Sequence, residues 1–573
     1  MTAPATSPAR GWFWAAVAMT VFKLWLTRGQ PVYAIGPAGH DDRLFLQLAD
    51  YLVQGEWLGP YNQMTLAKGP FYSFWVAAMF WLGAPLYLMQ QVAYAGACAL
   101  FVRACRPAIR HGAVGLALYL LLLWNPMSYE MPTLGRVLRQ HIYTPLGVVI
   151  FAGLVALYYR REQPFRRLAG WAVLLGLSAG AFWLTREESV WIVPSVLLLA
   201  GAALAGAFRS STVAFRHTAR ALGIALGCAL VLPFLVSWAN YRHYGWFGTV
   251  EFRGAAFKDA YGAMMRVRIG PDLPYVPVTR EARLAMYEVS PAFAQLRPHF
   301  EGAIGRGWAD ASTVLTKLPA DERQIGGGWM MWALRDAVAA AGQCHSAGEA
   351  MDFYRRMADE INRACDEGRL PSGPRRSGFL PPWRPGQAGE VVRTLGQFTE
   401  FVVCFKGFAA YTPPSIGGDD YLALFRDMTG EALSLAPEGT NLAVPRTAAM
   451  NEKKVGILQG IGKVLRLVLL GAFVLAQVIA IARVAQLAWR RELTYAIVLA
   501  AAAWGAGLAY LLVNAVVQVT SFPLVAVSSF ASAYPMVLIF IFAALWDAGT
   551  AWWPQPPARC GVSRGCPQLG RVY

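Results

Sequence analysis

Ten separated apolar runs constrain this chain more than anything else in it. They centre on residues 11–27, 86–103, 112–126, 142–158, 168–185, 189–208, 221–238, 464–482, 495–517 and 530–547, and most approach the about 20 residues that a helix needs to cross a bilayer. Within the hydrocarbon each backbone N–H and C=O must be satisfied inside the segment, so repeated runs of this length imply a polytopic α-helical membrane protein. The balance of residue types agrees: 56% are hydrophobic and 15% charged, against about 25% charged in soluble domains. The first run, GWFWAAVAMTVFKLWLT, lies between Arg10 and Arg28 with no small-residue cleavage site behind it. It reads as a retained helix, with Lys23 snorkelling or facing the interior.

The net charge of +17 would suggest a nucleic-acid partner in a soluble protein, but here its placement gives it another meaning. Arginines gather in four short loops: Arg103, Arg106 and Arg110; Arg160, Arg161, Arg166 and Arg167; Arg209, Arg216 and Arg220; Arg483, Arg490 and Arg491. The positive-inside rule makes these loops cytoplasmic, and the N-terminus with them. Residues 69–103 must then cross an odd number of times, although as one helix they would extend roughly 52 Å. Gly83-Ala84-Pro85 interrupts them, so an interfacial helix over 70–82 followed by one crossing over 86–103 is expected. A hairpin is the alternative.

That topology predicts a core of about seven transmembrane helices over 1–239 with a first outer loop at 29–69. A mainly helical extracytoplasmic domain over 240–454, about three further transmembrane helices over 455–548 and a cytoplasmic tail over 549–573 follow. In the outer domain, Ser346-Ala347-Gly348-Glu349 is a capping box opening a helix that Gly368 stops. Eight cysteines with no CxxC pair argue against a zinc module or a disulfide scaffold. Cys344 and Cys365 bracket the capped helix and should lie about 30 Å apart, so any disulfide would involve Cys404.

The first outer loop carries His40-Asp41-Asp42 at the start of an amphipathic segment, Leu44, Phe45, Leu48, Ala49 and Leu52, that ends at Gly55. One aspartate can cap this helix. The pair can equally accept a proton or hold a divalent cation, in which case Asp41 or Asp42 would be the ligand. Lys68, before the next helix, is either an interfacial anchor or a cation for a phosphate. Arg136, Arg139 and His141 occupy an outer loop where the rule expects few charges, and the spacing puts the two arginines on one helical face. Arg186, Glu187 and Glu188 sit at the outer membrane edge, as an ion-pair group or as functional ionisable residues.

These segments together form a pattern. The acidic pair after the first helix, the Ala49-Asp50-Tyr51-Leu52 continuation with Gly55-Glu56-Trp57, Lys68-Gly69-Pro70-Phe71-Tyr72, and Thr185-Arg186-Glu187-Glu188 resemble the GT-C glycosyltransferases, and most nearly the bacterial branch of aminoarabinose transferases and protein mannosyltransferases. The resemblance covers roughly residues 1–240. It departs from the usual Asp-Glu pair and from the usual K-x-P-P-L, which leaves the donor open.

The resemblance implies an inverting transfer of sugar, outside the bacterial cytoplasmic membrane, from a polyprenyl-phosphate carrier to an acceptor hydroxyl or amine. One of Asp41 and Asp42 would be the base or help bind a metal. His40, Lys68, Arg136, Arg139, His141, Arg186 and Glu187 would bind substrate. The expected partners are a lipid-linked sugar donor and membrane lipid, with no nucleic acid. No phosphate-binding GxxxxGK[ST] or strand-helix GxGxxG context occurs, as suits a donor that arrives in lipid. A transporter or flippase of lipid-linked glycans and a non-catalytic envelope assembly protein are the competing classes.

Overall fold

A computed structural model describes residues 8–109, 111–435 and 446–552. Arg110 and residues 553–573, the greater part of the expected tail, lie outside the described residues. The chain opens with α1 (Pro8–Thr27), the surface helix α2 (Asp42–Val53), α3 (Phe71–Trp81), α4 (Leu86–Cys105) and α5 (Gly112–Leu123). Then come α6 (Gln140–Tyr159), α7 (Phe165–Thr185), α8 (Val193–Ser210) and α9 (Thr212–Tyr244). Outside this bundle lie α10 (Ala255–Arg266), α11 (Arg280–Val289), the single turns α12 (Pro291–Ala294) and α13 (Arg297–Phe300), α14 (Ala303–Thr316), α15 (Trp329–Ala340) and α16 (Ala347–Asp366). The remainder is α17 (Gln387–Val403), α18 (Asp419–Thr429), α19 (Arg446–Arg490), α20 (Tyr495–Thr520), the short α21 (Ala526–Phe530) and α22 (Ala533–Trp552).

The protein is a polytopic helical membrane protein. Among the described residues, seven helices are long and apolar enough to cross a bilayer: α6, α7, α8 with the turn before it, α9, α19, α20 and α22. The helices α1 and α5 are apolar but shorter. The pair α3 and α4 is bent by 113°, because Gly83 takes a left-handed φ of +59° just before Pro85. The segment 71–105 is therefore not one straight helix.

Lys23 faces inward and is 1% exposed; its ammonium donates to the Leu123 carbonyl and to Ser128 Oγ, each at 2.8 Å. All four arginine-rich loops meet at one end of the bundle. Arg160 donates to the Arg103 and Ala104 carbonyls, Ser210 donates to Glu162, and Arg220 stacks on Phe165. Tyr495, just past the fourth loop, stacks on Tyr158 with centroids 3.5 Å apart.

At the other end, α10 to α16 enclose a second core that includes Phe257, Met264, Met286, Phe293, Leu334, Tyr354 and Ile361. The capped helix is α16: Ser346 Oγ accepts from the Glu349 N–H at 3.2 Å, and Gly368 closes it with φ +74°. Two outer helices leave this core. The helix α17 packs on α20 and α22, and α18 packs on α2 and α3. Among the described residues there is no strand beyond isolated bridges, two of which join Val32 to Leu433 and Ile35 to Ile416. Cys344, Cys365 and Cys404 are all free thiols.

Candidate functional site

The two aspartates part company at the first turn of α2. Asp41 holds the N-cap position, yet its side chain makes no capping hydrogen bond, so the expected cap is not formed by either carboxylate. Asp41 pairs with Lys68 instead and keeps 52% of its side chain open to solvent. Asp42 points inward and is fully covered, with Arg136 donating from Nη2 to Oδ1 at 2.6 Å and from Nε to Oδ2 at 3.0 Å. Burial pushes the Asp42 carboxyl up to about 6 against the pull of Arg136. Burial would also raise Asp41, but Lys68, then Arg139 and Arg136, hold it well below the usual carboxylate range. Lys68 is itself lowered by burial, which the Asp41 charge opposes.

Lys68 reaches this point because the next residue is glycine. A Cβ on Gly69 would lie 2.1 Å from the Leu184 carbonyl oxygen, so only glycine lets the loop before α3 press against the end of α7. The Gly69 N–H then donates to Glu187 at 2.9 Å. Glu187 also accepts two contacts from Arg139 Nη1, at 2.9 and 2.8 Å. Burial would lift the Glu187 carboxyl, but Arg139 and the Gly69 N–H hold it low. Lys68 and Arg139 share one aromatic floor, each with its charge 5.4 Å from the Phe45 centroid. Arg186 pairs with Glu188, and its Nη1 is buried with no hydrogen-bond partner.

Lys68, Arg136, Arg139 and Arg186, which come from three distant segments, thus converge with Asp41, Asp42 and Glu187. Each of the four side chains is less than a fifth exposed. His40 stands beside them between Trp332 and Trp308, with ring centroids 4.5 and 5.2 Å away. His141 does not join the group: its Nε2 contacts the Leu134 carbonyl oxygen and its ring packs on Tyr87. The loop spacing also misleads for the arginines. Residues 131–139 form turns, with Arg139 at the N-cap position of α6, because Pro132 and Gly135 disfavour the helix that a three-residue spacing assumes. The two guanidinium groups consequently serve different carboxylates.

Several residues with no local signal complete the site. Arg253 donates to the carbonyls of Trp183, Arg186 and Glu187, fastening the start of the outer domain to the 183–187 turn. Glu251 and Arg335 form a buried ion pair that Tyr61 joins by donating to Glu251. Arg335 also donates to the Gln63 and Thr65 carbonyls, at 2.6 and 2.8 Å, and the Glu251 N–H donates to the Leu66 carbonyl. The outer domain therefore shapes the chain leading to Lys68.

The donor set does not suit a resident divalent cation. Both oxygens of Asp42 are taken by Arg136, Asp41 Oδ1 is paired with Lys68, and no group of three His, Cys, Asp or Glu side chains able to hold a metal occurs among the described residues.

No family model matches this chain, and no curated protein does. Among solved structures it is similar to ArnT from Cupriavidus metallidurans in the apo state, with 15% identity over 94% of this chain and 78% of that one and a TM-score of 0.31. A likeness that loose assigns no role to any residue.

Proposed function

We propose that this chain is an inverting GT-C-type glycosyltransferase of the bacterial cytoplasmic membrane, moving a sugar from a polyprenyl-phosphate carrier to an acceptor on the outer side. One observation carries the reading. Five cations, Lys68, Arg136, Arg139, Arg186 and Arg253, surround four carboxylates, Asp41, Asp42, Glu187 and Glu188, and one buried guanidinium N–H still lacks an acceptor. An unsatisfied buried donor costs about 1–3 kcal/mol, more when charged, so an anion is the fitting ligand. The resemblance of residues 1–240 to GT-C enzymes supplies a phosphate of that kind.

In this reading the acceptor O–H or N–H attacks the anomeric carbon from the face opposite the phosphate, and the carbon–oxygen bond to the phosphate breaks. The acceptor proton passes to Asp41, which is ionised and open to solvent. The charge growing on the departing polyprenyl phosphate falls to Lys68, Arg139 and Arg186. A phosphate that recruits Lys68 takes it from Asp41, and the carboxylate becomes a stronger base when donor is present. Asp42 fixes Arg136 and does no proton chemistry.

The topology belongs to the same proposal. The four arginine-rich loops share one end of the bundle and are cytoplasmic by the positive-inside rule. The first outer loop and the domain beginning near residue 240 are extracytoplasmic. The decisive experiment is transfer of radiolabelled sugar from lipid-linked donors by the purified chain in nanodiscs. Absence of product across a panel of donors and acceptors refutes the reading.

A further inference from the structure

A groove on the outer domain lies beside His40, the chain neighbour of Asp41, and is used by nothing described so far. It is an open groove of about 320 Å³, lined by Ala303, Ile304, Gly307, Trp308 and Ala311 of α14 and by Asp336 of α15. The α14 residues fall at helical spacing on one face, where small side chains leave the Trp308 indole a flat, partly open wall. Trp308 Nε1 donates to Asp336 Oδ2 at 2.8 Å, which fixes the ring and leaves the second carboxylate oxygen for another donor. From Trp308 an unbroken line of rings leads to the charged cluster: His40 lies 5.2 Å from Trp308 and 4.5 Å from Trp332, and the Lys68 ammonium lies 6.0 Å from the Trp332 centroid.

We propose that this groove is a subsite for a neutral pyranose ring, which stacks its C–H face on Trp308 and gives a hydroxyl hydrogen to Asp336. The inference rests on the glycosyltransferase reading and deepens it by naming where a saccharide is held outside the bilayer. The lining carries one carboxylate and no cation, so a phosphate or an acidic ligand is disfavoured, whereas hydroxyl donors match an acceptor-only group. One aromatic plane and one polar group suit a ring, and the volume is within the range of small-molecule sites. A peptide would need either a free strand edge or a series of side-chain pockets, and the lining offers neither. Through His40, a ring seated here lies along the approach to the Asp41 carboxylate.

The test uses the full chain in nanodiscs and a panel of methyl hexopyranosides, observed by saturation-transfer NMR. Saturation is expected on the ring C–H protons. Ala311→Trp fills the groove from an exposed helical position without removing any contact, and should weaken the signal at least tenfold. Asp336→Asn should weaken binding about fivefold, the loss of one hydrogen bond. Equal saturation in wild type and Ala311→Trp, no saturation by any pyranoside, or saturation by short peptides in place of pyranosides overturns the proposal. Pyranoside binding that Ala311→Trp abolishes, in a protein that transfers no sugar, upholds the groove and removes the enzyme reading. Transfer by wild type with unchanged KM and kcat in Ala311→Trp does the reverse.

Discussion

Replacing the two adjacent aspartates singly by asparagine should produce opposite failures. Asp42 is fully covered and receives two charge-assisted hydrogen bonds from Arg136. Asparagine offers one acceptor oxygen there and turns an NH₂ towards a guanidinium that is itself largely buried. Breaking a buried pair from one side costs about 3–5 kcal/mol, a large fraction of the roughly 5–15 kcal/mol that holds a domain folded. Asp41 keeps 52% of its side chain in solvent against 11% for Lys68, so water can partly replace its carboxylate and the pair is worth less than a fully buried one. Asp41→Asn should therefore lose clearly less stability than Asp42→Asn yet lose about 10²–10⁴ in transfer rate, the usual contribution of a general base. Asp42→Asn should unfold at clearly lower temperature or denaturant, while the fraction that stays folded retains transfer. Thermal unfolding in nanodiscs, run beside single-turnover transfer, separates the two. Wild-type transfer by Asp41→Asn, or wild-type stability of Asp42→Asn, would refute this division of labour.

Glu130 gives a pH signature. It is 1% exposed, and burial lifts its carboxyl from 4.5 to about 7. A raised acid contributes stability that is full below its ordinary value and is lost as pH rises through the folded one, so wild type should weaken between about pH 4.5 and 7 by at most about 3 kcal/mol. Glu130→Gln should flatten that slope, and identical pH profiles for the two proteins would contradict it. Gly69→Ala should abolish transfer and lower expression, because its Cβ meets backbone at 2.1 Å; a variant with wild-type activity would show that the close approach to Leu184 is not needed. For the proposed topology, a cysteine introduced near residue 300 should react with an impermeant reagent in intact cells and one near residue 163 should not, and the opposite pattern reverses the orientation.

How far the sequence could be read depended on the range of the interaction concerned. The apolar runs and the Gly83-Ala84-Pro85 break are local, and so are the Ser346 cap and the amphipathic start of α2; hydropathy and backbone preference decide them. The convergence of Lys68, Arg136, Arg139 and Arg186 was legible only as an excess of charge on one side of a topology. The partition of Asp41 from Asp42 was not legible, since two adjacent carboxylates acquire different environments only once Lys68 and Arg136 arrive from elsewhere. Arg253, Glu251 and Arg335 look like ordinary solvated charges in sequence, and their partners lie roughly 70 to 270 residues away. The place of His141 was not legible for the converse reason: a histidine beside arginines looks like part of their cluster, but the first turn of α6 aims it at the Leu134 carbonyl.

The 113° elbow between α3 and α4 has a consequence for where a lipid substrate can react. Phe80, Trp81 and Leu82 at the elbow are 40%, 63% and 70% exposed, the amphipathic and apolar side chains that settle at the border between headgroups and acyl chains. The helix α3 begins three residues after Lys68, and on the proposed topology it floats flat in that border. It works as a depth gauge. On the glycosyltransferase reading, its buoyancy would set the height of the Lys68 ammonium above the hydrocarbon, so that a polyprenyl phosphate would meet the cations without its tail leaving the bilayer. Membranes of different thickness would then change the vertical registry between carrier and protein before they change anything within the fold.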